Sequence, residues 1–173
     1  VVQDVYMRIT PGVEADTHEY IRTGCEDSKF GFTMREDFAF KCVGDVLAAE
    51  NVRLVGLHCH IGSQIFSSDA FRESAKRLLG VYADLAAVLG GPVRELNLGG
   101  GFGIAYTPAQ ADDMPDFETL AAQLADIVAA TCGELGVVLP KLAFEPGRSI
   151  IGQAGVTLYS VGTTKAVQLT GSD

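Results

Sequence analysis

Three short stretches hold residue types that do chemistry: "HCHIGSQI" from His58, "LNLGGGFGI" from Leu96 and "EPGRSI" from Glu145. On a strand, His58 and His60 share one face and Cys59 takes the other. Two neutral imidazoles on one face suit a metal, but His18 or carboxylates would have to complete the ligand set. The competing reading is one core histidine with a satisfied hydrogen bond and one packing residue. Gly99, Gly100, Gly101 and Gly103 free the backbone to turn sharply and to present N–H groups to an oxyanion such as phosphate. A tight strand-to-loop turn with no ligand needs the same glycines. A dinucleotide fingerprint starting at Gly99 would require glycine where Ile104 stands, and no Gly-Lys-Ser/Thr P-loop occurs. Glu145 closes an apolar strand-like run, so its carboxylate calls for a cation, either Arg148 or a bound group. Pro146 and Gly147 shape the turn between them, and the planar fork of Arg148 suits phosphate or carboxylate. A structural Glu145–Arg148 pair is the alternative. Lys29 in "SKFGF" is a catalytic amine, a solvated charge or a partner in a pair across an interface, and Arg8 an inward anchor or a surface charge.

The elements that must position these residues alternate between strand and helix. Val5 to Ile9 reads as a strand closed by Pro11 and Gly12. Glu36 to Ala49 reads as a helix with Phe38, Val43, Val46 and Leu47 on its face. "VRLVGLHCH" is nearly continuous in apolar residues, as for a strand covered on both faces. Ser68 or Asp69 caps a helix in which Phe71, Ala75, Leu78, Tyr82, Leu85 and Leu89 recur at helical spacing, until Gly90, Gly91 and Pro92 stop it. "VRELNL" leads into the glycines, and a loop with Pro108 and Pro115 follows. Asp116 caps the next helix, with Phe117, Leu120, Leu124, Ile127 and Val128 on one face, ended by Gly133 and Gly136. "KLAFEPG" supplies a buried strand, and "VTLYSVGTTKAVQL" alternates β-formers with polar residues, predicting an antiparallel module from about residue 151. Unusual residues just after the strands are the grammar of a parallel α/β fold, whose sites lie at the strands' carboxyl ends.

Composition narrows the partners. The 173 residues are 47% apolar, enough for a sizeable core, and the net charge of −9 repels nucleic acid and anionic membranes. There is no run of apolar residues long enough to span a bilayer and no signal-peptide pattern. Cys25, Cys42, Cys59 and Cys132 are scattered, as for free thiols in a reducing, cytoplasmic compartment. The chain opens "VVQDVYMRIT" without methionine and stops at "VQLTGSD", so both ends read as cut from a longer protein.

In this order, "LVGLHCHIGSQI", "LNLGGGFGI" and "EPGRSI" resemble the pyridoxal-phosphate decarboxylases built on the alanine-racemase-like barrel. "SKFG" and "VTLYSVGTTK" match that family's wording too, so the resemblance covers nearly the whole chain. It implies an α/β fold: residues 1–150 as the C-terminal half of a (β/α)8 TIM-type barrel, and 151–173 as the start of a β-rich C-terminal domain. It implies pyridoxal 5′-phosphate, with His60 stacked on the ring, Ser63 near the phosphate, and Gly99, Gly100 and Gly101 giving it backbone N–H groups. Glu145 would pair with the protonated ring nitrogen. Pro146, Gly147 and Arg148 would border the phosphate, Arg148 would also take the substrate's distal carboxylate, and no metal is implied. His60 and Glu145 are the implied catalytic residues, and Arg8 matches an active-site arginine of the ornithine enzymes. The "H-x-HIGSQ" wording favours the branch that converts meso-diaminopimelate to L-lysine. Ornithine, arginine and carboxynorspermidine decarboxylation, a non-catalytic barrel homologue, and a metal-dependent hydrolase using His58 and His60 are the alternatives. The family's covalent lysine lies on the first barrel strand. Lys29, Lys41, Lys76, Lys141 and Lys165 all sit in other contexts, and the family's later cysteine, glutamate and tyrosine would fall after Asp173. The isolated chain is therefore expected to be inactive, and the complete protein a homodimer acting on a small amino acid.

Overall fold

The computed structural model describes residues 1–13, 30–34 and 38–166. His18, Cys25, Lys29 and the final residues 167–173 lie outside them, as does the side chain of Phe38. Among the described residues, five strands, β1 (Gln3–Thr10), β2 (Phe32–Thr33), β3 (Val52–His58), β4 (Glu95–Gly100) and β5 (Lys141–Glu145), form one sheet in the order β2-β1-β3-β4-β5. Every pairing is parallel. Parallel neighbours need a crossover: α2 (Ser68–Leu89) joins β3 to β4 and α3 (Phe117–Leu135) joins β4 to β5, while α1 (Phe38–Ala48) leads from β2 into β3. A short α4 (Gly147–Ile151) follows β5 directly.

α2 forms where its apolar spacing predicts, but Ser67 caps it, its hydroxyl accepting the Asp69 N–H at 3.2 Å. The cap precedes the expected Ser68 or Asp69 because Ser67 keeps an extended backbone while Ser68 already lies in the helix. Phe71, Ala75, Leu78, Leu79, Tyr82 and Leu85 are buried, each large side chain contributing about 1.5–3 kcal/mol. Gly90 ends α2 in the left-handed conformation. In α3 the Asp116 carboxylate accepts the Glu118 N–H at 3.3 Å. Leu120, Leu124 and Val128 are buried, while Phe117 in the first turn stays partly exposed. Gly136 ends this helix, and Gly133 lies inside it. α1 packs on β2 and β3 at the sheet's margin, with Val43 buried and Leu47, expected inward, largely exposed.

The helices cover one face of the sheet. Met7, Ile9, Leu57, Cys59, Leu96 and Leu98 point into that core. The alternate residues Tyr6, Arg8, His58, Asn97 and Glu145 occupy the other, polar face, and in β3 the consecutive residues Val55, Gly56 and Leu57 are buried, as expected of a strand covered on both sides. β5 lies at the sheet's margin, and the Glu145 side chain, expected in a buried strand, is 53% exposed. Residues 155–166 form neither helix nor strand, and Val156, Leu158, Tyr159 and Val161 stand in solvent. The antiparallel pairing expected of their alternation is not formed among the described residues.

Candidate functional site

Register assembles the polar face in layers. Tyr6, Gly56, Glu95 and Lys141 are neighbours across β1, β3, β4 and β5. The Tyr6 hydroxyl donates to Glu95 Oε2 across Gly56, where a Cβ would stand 2.9 Å from the tyrosine ring. Lys141 reaches Glu95 Oε1 at 3.5 Å. The Tyr6–Glu95 bond raises the phenol to about 12 and holds the carboxyl below its ordinary range.

The next layer, nearer the strands' carboxyl ends, sets Arg8 beside His58 and His58 beside Asn97, with Glu145 rising from β5. His58 Nε2 lies 3.2 Å from Glu145 Oε1. The Asn97 amide donates to the same oxygen at 3.0 Å, while its own oxygen accepts the Gly99 N–H at 2.9 Å. Arg8 is half-buried, its guanidinium 4.9 Å from the centre of the Phe30 ring. Burial lowers the His58 pKa, opposed by the Glu145 carboxylate and reinforced by Arg8. Burial lowers His60 as well, with Arg8 and His58 adding to the effect. His60 Nδ1 accepts the Gly100 N–H at 3.3 Å, which places the proton of the neutral ring on Nε2. Cys59, between them, faces the core, and burial raises its thiol to about 12.

The glycines answer to the chain's own backbone. A Cβ on Gly99 would stand 2.3 Å from the Cys59 carbonyl oxygen, and one on Gly101 2.0 Å from that of Gly62. Both have positive φ, 72° and 95°. The glycine loop thereby lies against "HIGSQ" and beside Ser63. Gln64 completes the junction from a left-handed backbone (φ 57°). Its amide donates to the Ile104 carbonyl at 2.9 Å and accepts the Ile104 N–H at 3.1 Å. Ile65 and Phe102 form a parallel bridge, with Ile65 N–H to Gly101 O and Gly103 N–H to Ile65 O, both 2.9 Å. The Gly99 and Gly100 N–H groups, read in the sequence as phosphate donors, are already engaged by Asn97 and His60.

Glu145 and Arg148 do not form the structural pair that their spacing allows. Glu145 meets His58 and Asn97, and Arg148 donates to the Tyr106 hydroxyl at 3.0 Å. Pro146 and Gly147 start α4 and carry Arg148 past the end of β5. Sequence alone does not single out Asn97, Gln64 and Tyr106. Asn97 had a signal: with Glu95 it alternates against Leu96 and Leu98, marking one polar strand face. Among the described residues, no three His, Cys, Asp or Glu side chains gather as metal ligands do. No helix there is long and apolar enough to cross a membrane.

Comparison with known proteins adds a family. Residues 2–152 match the family model described as "Pyridoxal-dependent decarboxylase, pyridoxal binding domain". Diaminopimelate decarboxylase of Corynebacterium efficiens is 45% identical over 168 residues, 97% of this chain and 36% of that protein. That of Mycobacterium tuberculosis is 46% identical over 173 residues, 98% of this chain and 38% of its own length. The chain thus spans little more than a third of these relatives. Among solved structures, diaminopimelate decarboxylase from M. jannaschii in co-complex with L-lysine superimposes with a TM-score of 0.72 at 33% identity, over 86% of this chain and 33% of that one. The enzyme from Helicobacter pylori complexed with L-lysine gives 0.70 at 27%, over 86% and 35%.

Proposed function

This chain belongs to the pyridoxal-dependent decarboxylase family, and from that premise we propose that the full-length protein converts meso-diaminopimelate to L-lysine with pyridoxal 5′-phosphate. The observation that carries the reading is the convergence of "HCHIGSQI", "LNLGGGFGI" and "EPGRSI" at one end of the sheet, on its polar face.

The donor set fits that cofactor. Its ring nitrogen is basic and its phosphate anionic, so it needs a carboxylate at one end and hydrogen-bond donors with a cation at the other. Glu145, half-exposed on the polar face, is the carboxylate. Ser63, the backbone around Gly101 and Gly147, and Arg148 are the donors and the cation. Pro146 sets the turn that brings them round. Gly99 and Gly100 serve by thinness, letting the loop lie against His60 and Glu145.

Bound there, pyridoxal phosphate supplies an electron sink for the pair left when carbon dioxide departs. Glu145 holds the proton on the ring nitrogen by pairing with it. His60, neutral and fixed by the Gly100 N–H, presents its imidazole to the ring face. Arg148 takes the substrate's distal carboxylate beside the phosphate, and Arg8 adds positive charge on the same face.

Residues 1–150 form the second half of a (β/α)8 barrel, and 151–173 open a β-rich domain. The family match ending at 152 and the uncovered Val156, Leu158, Tyr159 and Val161 support that boundary. The full-length protein is a cytoplasmic homodimer. In that protein, Glu145→Gln lowers kcat for carbon dioxide release by about a hundredfold or more. An unchanged kcat would remove Glu145 from the reaction. Equal kcat/KM for ornithine or arginine would overturn the substrate.

A further inference from the structure

We propose that His58 is a positioning residue for Glu145: with Asn97 it fixes one carboxylate oxygen, Oε1, and so dedicates Oε2 to the ring nitrogen of the cofactor. This rests on the reading of Glu145 as the partner of that nitrogen.

The geometry behind it is specific. Glu145 stands at the end of a marginal strand with its side chain 53% exposed, where a free glutamate would sample several rotamers. Instead two side-chain nitrogens converge on one atom, His58 Nε2 at 3.2 Å and the donating Asn97 Nδ2 at 3.0 Å, both on Oε1. The Asn97 amide cannot turn over, because its oxygen accepts the Gly99 N–H at 2.9 Å and only the NH2 end is left for Glu145. Both polar contacts of the Glu145 carboxylate described above therefore fall on the same oxygen.

The choice of histidine follows from the chemistry. A lysine or arginine at position 58 would bring a full positive charge to the carboxylate and weaken its hold on a ring proton. A neutral imidazole donates a hydrogen bond and leaves the negative charge for the ring. Burial and the Arg8 guanidinium both keep His58 in that neutral form, against the pull of Glu145 itself. His60, the other nearby imidazole, spends Nδ1 on the Gly100 N–H, so the two histidines of "HCH" have separate tasks.

The test uses the full-length protein loaded with pyridoxal phosphate labelled with nitrogen-15 in the ring. The ring-nitrogen resonance is recorded, and cofactor Kd is measured on the apo protein. Glu145→Gln moves the resonance and sets the scale. His58→Phe is expected to move it part of the way and to weaken Kd about tenfold, the loss of one hydrogen bond to a charged group. His58→Gln, which retains a terminal N–H donor, is expected to restore both toward the wild-type values. If Glu145→Gln moves the resonance but His58→Phe leaves resonance and Kd unchanged, the positioning role is wrong. If His58→Gln behaves like His58→Phe, the donor is not the cause and the role falls too. A resonance indifferent to Glu145→Gln would overturn the underlying pairing, and this inference with it. Labelled histidine in the wild-type protein gives a readout that needs no variant to fold: His58 must carry its proton on Nε2, and an Nδ1-protonated ring would overturn the proposal.

Discussion

Gly100 and Glu145 face each other across β4 and β5 so closely that a Cβ on the glycine would stand 2.0 Å from the glutamate's carbonyl oxygen. The glycine motif and the carboxylate are thus one structural unit. Gly100→Ala must push β5 away, and we expect a loss of about 3 kcal/mol, at the upper end for overpacking. Gly80, inside α2 with nothing within 4 Å of its missing Cβ, should behave oppositely. Gly80→Ala is expected to add about 0.5–1 kcal/mol. Urea midpoints of the full-length protein decide it, and two shifts of the same sign would contradict the packing described.

Gln64 combines a left-handed backbone with a side chain that grips Ile104 at both its N–H and its carbonyl. Glycine removes the grip but accepts the backbone. Alanine removes the grip and keeps the strain. Gln64→Ala should therefore be less stable than Gln64→Gly by about 1 kcal/mol. The same urea series measures it, and the reverse order would show that the conformation at residue 64 is not held as described.

Tyr82 is fully buried in α2, and its hydroxyl is shared between the carbonyls of Val93 and Val138, at 2.7 and 2.9 Å. Tyr82→Phe keeps the ring and leaves those two carbonyls short of a donor. The expected loss is about 1–2 kcal/mol, with cofactor affinity unaltered. A denaturation midpoint equal to wild type would mean that water replaces the hydroxyl.

Both histidines of "HCH" titrate below their ordinary value of 6.5 in the folded chain, chiefly through burial. Below that pH the unfolded chain takes up protons that the folded chain refuses, so stability falls as pH drops from about 6.5 toward the lower folded values. Denaturation midpoints should decline between pH 7 and pH 5.5, before most carboxylates titrate. The decline should flatten in a His58→Gln, His60→Gln double variant. An equal slope in that variant would assign the effect to other groups.

Much of this arrangement can be read without coordinates, for identifiable reasons. The α2 stripe from Phe71 to Leu85 is a local regularity, and Glu145 stands out as a charge closing an apolar strand. Gln64 and Asn97 are harder. Each acts through a carbonyl, N–H or carboxylate whose position depends on a distant segment. The glycines show the same limit: their spacing demands close approach, yet only the sheet shows that the approaching groups are carbonyls of Cys59, Gly62 and Glu145. Leu47 misleads because helical spacing marks a face without saying how far the sheet extends beneath it.

The parallel order of the sheet also has a kinetic meaning. Asn97 and Glu145 are 48 positions apart in sequence, and His58 and Arg8 reach the same patch from two further strands. No short segment can assemble this patch by itself. It comes into being only once the crossovers are complete, which places it among the slow, non-local events of folding. Cofactor capture during refolding should therefore lag the appearance of helix, and the delay is a clock for closure of the sheet.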